Sequence, residues 1–340
     1  MSRRPLPKVI VTEVEDEATL HTWWEIERAS VTDTDKDAPH RTFDALRATR
    51  DGWGAGEDGV HLIARDATGD VAGVAEMCWP LDDNQHLVEA DIHVLPRHRR
   101  EGVGRLLWET VVERTRDLGR TTVALEIIAP VDGAAPGLAF VEGLAIPTVH
   151  VEEHLRLPVP LDPDHLTRLG EQALASSAGY EIVTWVDRCP DEHLAAFCTM
   201  RTRMNQDVPR GDADVRPSVV TPERVRRDEA RYDAAGYTVI TAAARRLADG
   251  EMAGYTVLVL QPDDTAVYQG DTLVMPEHRG RRLGTLLKAT TLELLADGYP
   301  ERTSVHTWVS TDNAAMQAVN RAFGFVIVDR AHMIEARVDR

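Results

Sequence analysis

Just ahead of residue 94 the chain carries four groups able to accept or donate a proton, Glu76, Glu89, Asp91 and His93, and then a turn suited to an anion. The turn reads "VLPRHRREGVGRLL", Val94 to Leu107. A helix that begins in such a turn leaves its first N–H groups without intrahelical acceptors, and its aligned peptide dipoles make that end partly positive. Phosphate oxygens suit the position. Gly102 and Gly104 remove Cβ atoms that would hold a phosphate off the backbone, while Arg99, Arg100 and Arg105 supply charge. Glu89, Asp91 and His93 share one face of an alternating strand, so some of them point away from the turn, toward solvent or a helix. A base in this place would take its proton from an ammonium, often through water.

The pattern returns as "VMPEHRGRRLGTLL", Val274 to Leu287, with Arg282 where the first copy has Gly102. Asp271 is the one acid kept in register with Asp91, and Tyr255 and Gln269 stand nearby. Upstream, "DVAGVAEM" from Asp70 resembles "EMAGYTVL" from Glu251, and "VIVTEV" from Val9 resembles "EIVTWV" from Glu181. Matches in the same order over so long a span describe a duplicated unit. Either both turns do the same job, or one has stopped doing it.

Neither turn has the Gly-Lys-Ser/Thr of a Walker A loop, and the glycine spacing does not match a dinucleotide fingerprint. "PRHRREGVGRLL" instead resembles the pyrophosphate motif of the GNAT superfamily of acyl-CoA-dependent N-acetyltransferases, Arg/Gln-x-x-Gly-x-Gly/Ala, through Arg99, Gly102 and Gly104. "HTWVSTDNAAMQAVNRAFGF", His306 to Phe325, resembles the family's next strand and helix. The resemblance implies an α/β (mixed α+β) chain of two GNAT-like domains, each a bent, mixed, largely antiparallel sheet flanked by helices. Two neighbouring parallel strands in each would splay to admit the pantetheine arm of acetyl-CoA, the one cofactor implied. An amine would then attack the acyl thioester directly.

The same resemblance carries roles onto particular residues. The acyl carbonyl is expected near backbone N–H groups at Val94 and Val274. The pyrophosphate is expected along Arg99, Arg100, Glu101, Gly102, Val103, Gly104 and Arg105, and along Arg279, Gly280, Arg281, Arg282, Leu283, Gly284 and Thr285. Asp91, Glu89 and Asp271 are the candidate bases. Many family members protonate the departing thiolate with a tyrosine four residues before the Gly-Phe pair; the second copy has Asn320 there and the first has Val141. Asn313 and Asn320 lie seven apart on one helical face, expected to be aimed at the acetyl-CoA arm. Asn313 alternatively caps the helix N-terminus.

The elements that must position these groups are readable. After Gly104, apolar residues at 106, 107, 111, 112 and 118 give a helical stripe closed by Gly119, and Leu286, Leu287, Leu294 and Leu295 do the same up to Gly298. "LPVPLDPDHL", Leu157 to Leu166, has prolines that forbid helix interior and central strand, so domains are expected at 1–158 and 167–340.

Bulk properties bound the partners. A chain of 340 residues exceeds the usual size of one hydrophobic core. The formal net charge of −18 argues against a nonspecific nucleic-acid binder and tolerates cationic small molecules. Cys78, Cys189 and Cys198 form no disulfide framework and no zinc-type pair, which suggests reduced thiols in the cytoplasm. No secretion segment is read at the start, and no apolar stretch is long enough for a membrane span. "HVEEH", His150 to His154, matches a zinc pattern that requires a helix; here it alternates like a strand, and no metal is expected. The reading is an acetyl-CoA-dependent N-acetyltransferase for a small primary amine, monomeric or homodimeric, with cationic metabolites such as aminoglycosides, polyamines or amino sugars as acceptors. A silent acyl-CoA sensor, a protein lysine acetyltransferase and a mycothiol-synthase-like enzyme are the alternatives; neither copy has the last family's tyrosine.

Overall fold

A computed structural model describes residues 9–33, 41–51 and 56–338. The first copy runs β1 (Ile10–Glu13), α1 (Glu17–Thr32), α2 (Phe43–Asp51), β2 (Glu57–Arg65), β3 (Val71–Pro80), β4 (Leu87–Val94), α3 (Val103–Asp117), β5 (Thr122–Pro130), α4 (Pro136–Gly143) and β6 (Thr148–Pro158). A connecting helix, α5 (Pro163–Ser176), follows. The second copy repeats the order as β7 (Tyr180–Val186), α6 (Asp191–Asp207), α7 (Pro222–Ala234), β8 (Thr238–Arg246), β9 (Met252–Leu260), β10 (Ala266–Val274), α8 (Leu283–Gly298), β11 (Ser304–Ser310), α9 (Ala314–Phe323) and β12 (Val326–Arg337). A single 3₁₀ turn, Pro96–His98 or Pro276–His278, precedes each post-turn helix.

Local signals start the helices where side chains can take up free N–H groups. Asp16 accepts from Thr19 N–H at 2.7 Å, and Asp162, followed by Pro163, accepts from His165 N–H at 2.9 Å. The prolines read as a seam do end β6 and open α5. Alternation in the strands sorts side chains to two layers. Leu62, Ala75, Met77, Val88 and Val123 pack under Val103, Leu107 and Val111 of α3. Ile63 and Val74 face the other way, toward Leu20 and Trp23 of α1 and Leu46 of α2. Trp23 Nε1 lies 3.0 Å from Leu62 O and 3.1 Å from Ala75 O, pinning α1 to the sheet.

The described strands form one sheet, ordered β1-β2-β3-β4-β5-β12-β6-β11-β10-β9-β8-β7. The last strands of the two copies are exchanged. β12, from the end of the chain, lies antiparallel between β5 and β6, while β6 lies antiparallel against β11. Packing follows the exchange: Ile334 and Ala336 of β12 are buried in the first copy's core, and Leu155 and Leu157 of β6 in the second copy's. Ala331 faces Glu152, and the flanking pairs Asp329 with His154 and Met333 with His150 are images of one another about that point. A pseudo-two-fold axis therefore passes through the middle of the sheet. Buried polar groups tie the strands across it: His154 Nδ1 sits 3.0 Å from both Asp329 carboxylate oxygens, His154 Nε2 is 2.9 Å from His306 Nδ1, and Ser304 Oγ is 2.9 Å from His306 Nε2. Within each copy, a glycine lets β3 approach β4, or β9 approach β10. A Cβ on Gly73 would lie 2.8 Å from His93 O, and one on Gly254 2.4 Å from Leu273 O.

Candidate active site

Both copies contain a splayed strand pair. β4 and β5 are paired in parallel from Leu87–Thr122 to Ala90–Leu125 and no further, and β10 and β11 from Ala266–Ser304 to Tyr268–His306. Beyond those points Asp91 to Val94 and Gln269 to Val274 keep their pairing only on the β3 or β9 side. The gap opens toward the basic turn.

The two turns share one geometry despite their different residues. In the first, Arg100 (φ 68°) and Gly102 (φ 93°) are left-handed; in the second, Gly280 (φ 82°) and Arg282 (φ 53°) are. Each turn thus places one glycine and one arginine at the same two corners, in swapped order. Arg282 does not break the turn, and its side chain is exposed. The leading arginine is committed to the protein in both copies. Arg99 Nε donates to Val94 O (3.2 Å) and Nη1 to Asp33 (3.0 Å); Arg279 Nε donates to Val274 O (3.0 Å) and Nη2 to Asp207 (2.6 Å). The charge expected from Arg99 therefore serves to lock the strand end to the helix before it. The exposed side chains of Arg100 and Arg105 remain on the first turn. Glu101 pairs with His98 at 3.3 Å. Val103 and Leu283 bury their side chains and leave only backbone N–H groups to the turn, and Thr285 is half-buried. A Cβ on Gly104 would come no nearer than 3.5 Å to Val94 Cγ2, and one on Gly284 3.8 Å to Val274 Cγ2. The protein's own packing does not demand glycine at either place; the room lies over the helix N-terminus.

Beside the second splay, Asn313 is the N-cap of α9, its side chain accepting from Met316 N–H at 3.1 Å. Of the two readings of Asn313, capping accounts for the contact its side chain makes. Asn320 is 1% exposed, and neither its carboxamide oxygen nor its nitrogen has a hydrogen-bond partner. Leaving a buried amide unsatisfied costs about 1–3 kcal/mol. Val141, at the matching place in the first copy, is buried in the core.

Glu89, Asp91 and His93 face the α1 side of the sheet, opposite α3. There they meet Glu76 and His61 from β3 and β2, Glu27 from α1, and Arg41. Arg41 bridges Glu76 in a short contact and Glu27 at 3.0 Å, and stacks 5.3 Å over the Trp23 ring. Burial raises Glu76, but Arg41 and then His61 outweigh it and hold the carboxyl at about 2. Burial raises Glu27, only partly offset by Arg41. Asp91 lies 3.0 Å from His93 Nε2. Burial opposes both charges of this pair; their mutual attraction outweighs it, holding Asp91 below and His93 above its ordinary value. Glu89 is raised by burial and by Glu57. Glu27, Asp91 and His93 present ligand atoms within 4.8 Å of one another, and Glu251, Glu277 and His278 do the same beside the second turn.

One acid at the first splay was not singled out in the sequence. Glu126 of β5 is the first residue past the last β4–β5 pair, on the same face as Glu89 and Asp91. Its side chain is exposed on the open face of the sheet; partial desolvation between the flanking strands and then the negative charge of Asp91, Glu152, Asp329 and Glu89 push its carboxyl up to about 7. Alternation in "TVALEIIAP" marks Glu126 as solvent-side, but its acidic neighbours arrive from β4, β6 and β12.

The second copy is built differently. A bulge between Gln269 and Thr272 of β10 shifts the strand register, so Tyr268, not Gln269, stands where Glu89 does, and Trp308 stands where Glu126 does. Tyr268, Trp308 and His154 stack as parallel rings, 6.2 and 4.4 Å apart. Gln269 is buried and bonded to Thr256 and Val257. Asp271 accepts from Tyr255 O–H at 2.7 Å, and Tyr255 is raised well above the usual phenol range by burial and by Asp271. His150 and His154 share one face of β6, a strand as expected.

Comparison with known proteins bears on this architecture. Residues 20–138 and 212–325 match the model of the acetyltransferase (GNAT) family. A streptothricin acetyltransferase from Streptomyces lavendulae is 35% identical over 85 residues, which are 23% of this chain and 44% of that protein. The chain thus spans under half the length of that curated relative. In fold it is similar to a tandem GNAT protein from the clavulanic acid biosynthesis pathway (TM-score 0.77, 24% identity, 98% of this chain and 99% of the other). It is also similar to a GCN5-related N-acetyltransferase from Sphaerobacter thermophilus (TM-score 0.66, 17% identity, 98% of each chain). With the family model matched in both copies and over most of its length, the chain belongs to the GNAT acetyltransferase family.

Proposed function

We propose that the protein is an acetyl-CoA-dependent N-acetyltransferase for a small cationic primary amine, and that transfer takes place in the first of two copies spanning 1–158 and 167–340. The observation that carries the reading is Glu126: a carboxyl held at about 7, on the lip of a splay that leads to a backbone anion cradle. Acetyl-CoA supplies the thioester carbon. The N–H groups from Arg99 to Arg105, with Arg100 and Arg105, receive its pyrophosphate, and Val94 N–H is placed for the acyl oxygen. Glu89, Asp91, Glu126, Glu152 and Asp329 concentrate a cationic acceptor on the α1 face.

Glu126 takes a proton from the bound ammonium, directly or through one water, and frees the lone pair. The C–N bond forms as the C–S bond breaks. Val141 has no proton to give, so the thiolate is protonated from solvent. The Asp91–His93 pair holds the wall of the site, and the Arg41 cluster fixes α1 against it. In the second copy the ring stack of Tyr268 and Trp308 replaces both acids, which favours binding there over transfer.

Free thiol released from acetyl-CoA across a panel of polyamines, aminoglycosides and neutral amines tests the proposal. Release with cationic amines is expected. Background release throughout would leave a sensor, and acetylated protein without small-amine turnover would indicate a protein acetyltransferase.

A further inference from the structure

The second copy has a cleft of about 380 Å³ between the C-terminal half of α6, residues 219–220 and Met275. Its position is defined by the repeat. Asp207 at the end of α6 binds the turn arginine Arg279, as Asp33 binds Arg99. Phe197 lies under Arg201 at 5.9 Å, as Trp23 lies under Arg41. With those pairs matched, Cys198 falls where the first copy has Trp24, and Arg203 where it has Ala29. Trp24 fills its place, donating from Nε1 to Arg41 O at 2.8 Å beside the Phe43 ring. Exchanging an indole for a thiol removes much of that volume and opens the second copy at the mouth of its strand β10.

Part of the wall is apolar, and it is anchored. Cys198, Val219, Val220 and Met275 line it alongside Thr199, Thr202 and Gln206, and no acid does. The 218–220 segment is held to α6 by Thr202 Oγ1, which accepts from Val220 N–H at 2.9 Å, and by Asn205 Nδ2 on Ser218 O at 3.2 Å. One cation lines the cleft. Arg203 gives an amino group to Asp207 at 2.8 Å, but its buried Nε–H has no acceptor. Asp207 also serves Arg279, so two guanidinium groups share a single carboxylate and one positive charge is left over. The Arg203 side chain as a whole is 39% exposed, so its amino groups, and not the buried Nε–H, are what a ligand can reach. A carboxylate can accept from two amino groups of one guanidinium in a fork and would meet the surplus charge.

We propose that this cleft binds a small carboxylate with an apolar body, seated on Arg203 and packed against Val219, Val220 and Met275. The two copies then take ligands of opposite charge: the first a cation over Glu126 and Asp91, the second an anion beside Met275. Binding here does not depend on which copy transfers acetyl groups.

Full-length protein titrated with N-acetylvaline and benzoate, and with N-acetylvalinamide and benzamide of nearly equal shape, tests it by calorimetry or ligand-observed NMR. The acids are expected to bind saturably, with affinity about tenfold or more above the amides. Arg203→Gln removes that preference. Val219→Glu, a change at a side chain 70% exposed, weakens the acids without touching the core. Cys198→Trp restores the first copy's residue and closes the cleft. Amides that bind as tightly as acids, acids that fail to bind at millimolar concentration, or acid binding unchanged in both Arg203→Gln and Val219→Glu would overturn the assignment.

Discussion

Gly102 and Arg282 hold the same left-handed corner of two copies of one turn, at φ 93° and φ 53°. An L-residue in that region costs about 1–2 kcal/mol, while glycine adds about 0.4–1 kcal/mol of unfolded-state entropy. Arg282→Gly should therefore stabilise the protein by about 0.5–1 kcal/mol, and Gly102→Arg should destabilise it by a similar amount. With the pyrophosphate held by backbone groups, as proposed, acetyl-CoA affinity should change little in either variant. Urea midpoints and acetyl-CoA titrations check both statements; a turn that loses acetyl-CoA when Gly102 becomes arginine would show that the corner must be bare.

The exchange of β6 and β12 predicts that the copies do not fold alone. Fragment 1–158 lacks the strand that lies between its β5 and β6, and fragment 167–340 lacks the strand that covers β11. Each would expose long unpaired edges. Expressed apart, the fragments should aggregate; expressed together, they should elute as a 1:1 complex on size exclusion. Two soluble, cooperatively unfolding fragments would contradict the observed strand order.

If Glu126 is the base, activity follows its ionised form. Its carboxyl titrates near 7, so kcat/KM should rise with pH, about tenfold per unit below 7, and level off above it. Glu126→Gln should lower kcat by about 10²- to 10⁴-fold and remove that inflection, with little change in acetyl-CoA binding. An unaltered pH profile in Glu126→Gln would assign the inflection to another group.

The Arg41 cluster makes a stability prediction. Arg41→Met leaves Glu27 and Glu76 buried without their cation, and breaking such a pair costs about 3–5 kcal/mol. Glu76 is depressed from 4.5 to about 2 in the fold, so the stability it contributes is present above 4.5 and is lost as pH falls from there toward 2. Glu27 is shifted the opposite way and offsets part of this. Parent protein should lose urea resistance across that acid range, and Arg41→Met should show a flatter profile.

The sequence by itself determined what is written in local chemistry. Glycine and arginine at the corners of a turn, the apolar stripe that follows it and the prolines after β6 act over a few residues, so both turns, both post-turn helices and the family could be read from them. Tertiary structure decided what depends on distant partners. Nothing in "VIVDRAHMIEAR" says that it pairs with residues 122–130 instead of its own copy, because alternation sorts a strand's faces and does not choose its neighbour. The same limit hid the carboxyl proposed as the base. Glu126 is an ordinary solvent-side glutamate until strands from both copies bring Asp91, Glu152 and Asp329 around it. Asn313 and Asn320 illustrate the divide within one helix: one is satisfied by its own backbone, and the other is buried with its amide unpartnered. A cap is a local bond, whereas burial is set by whatever the rest of the chain packs on top.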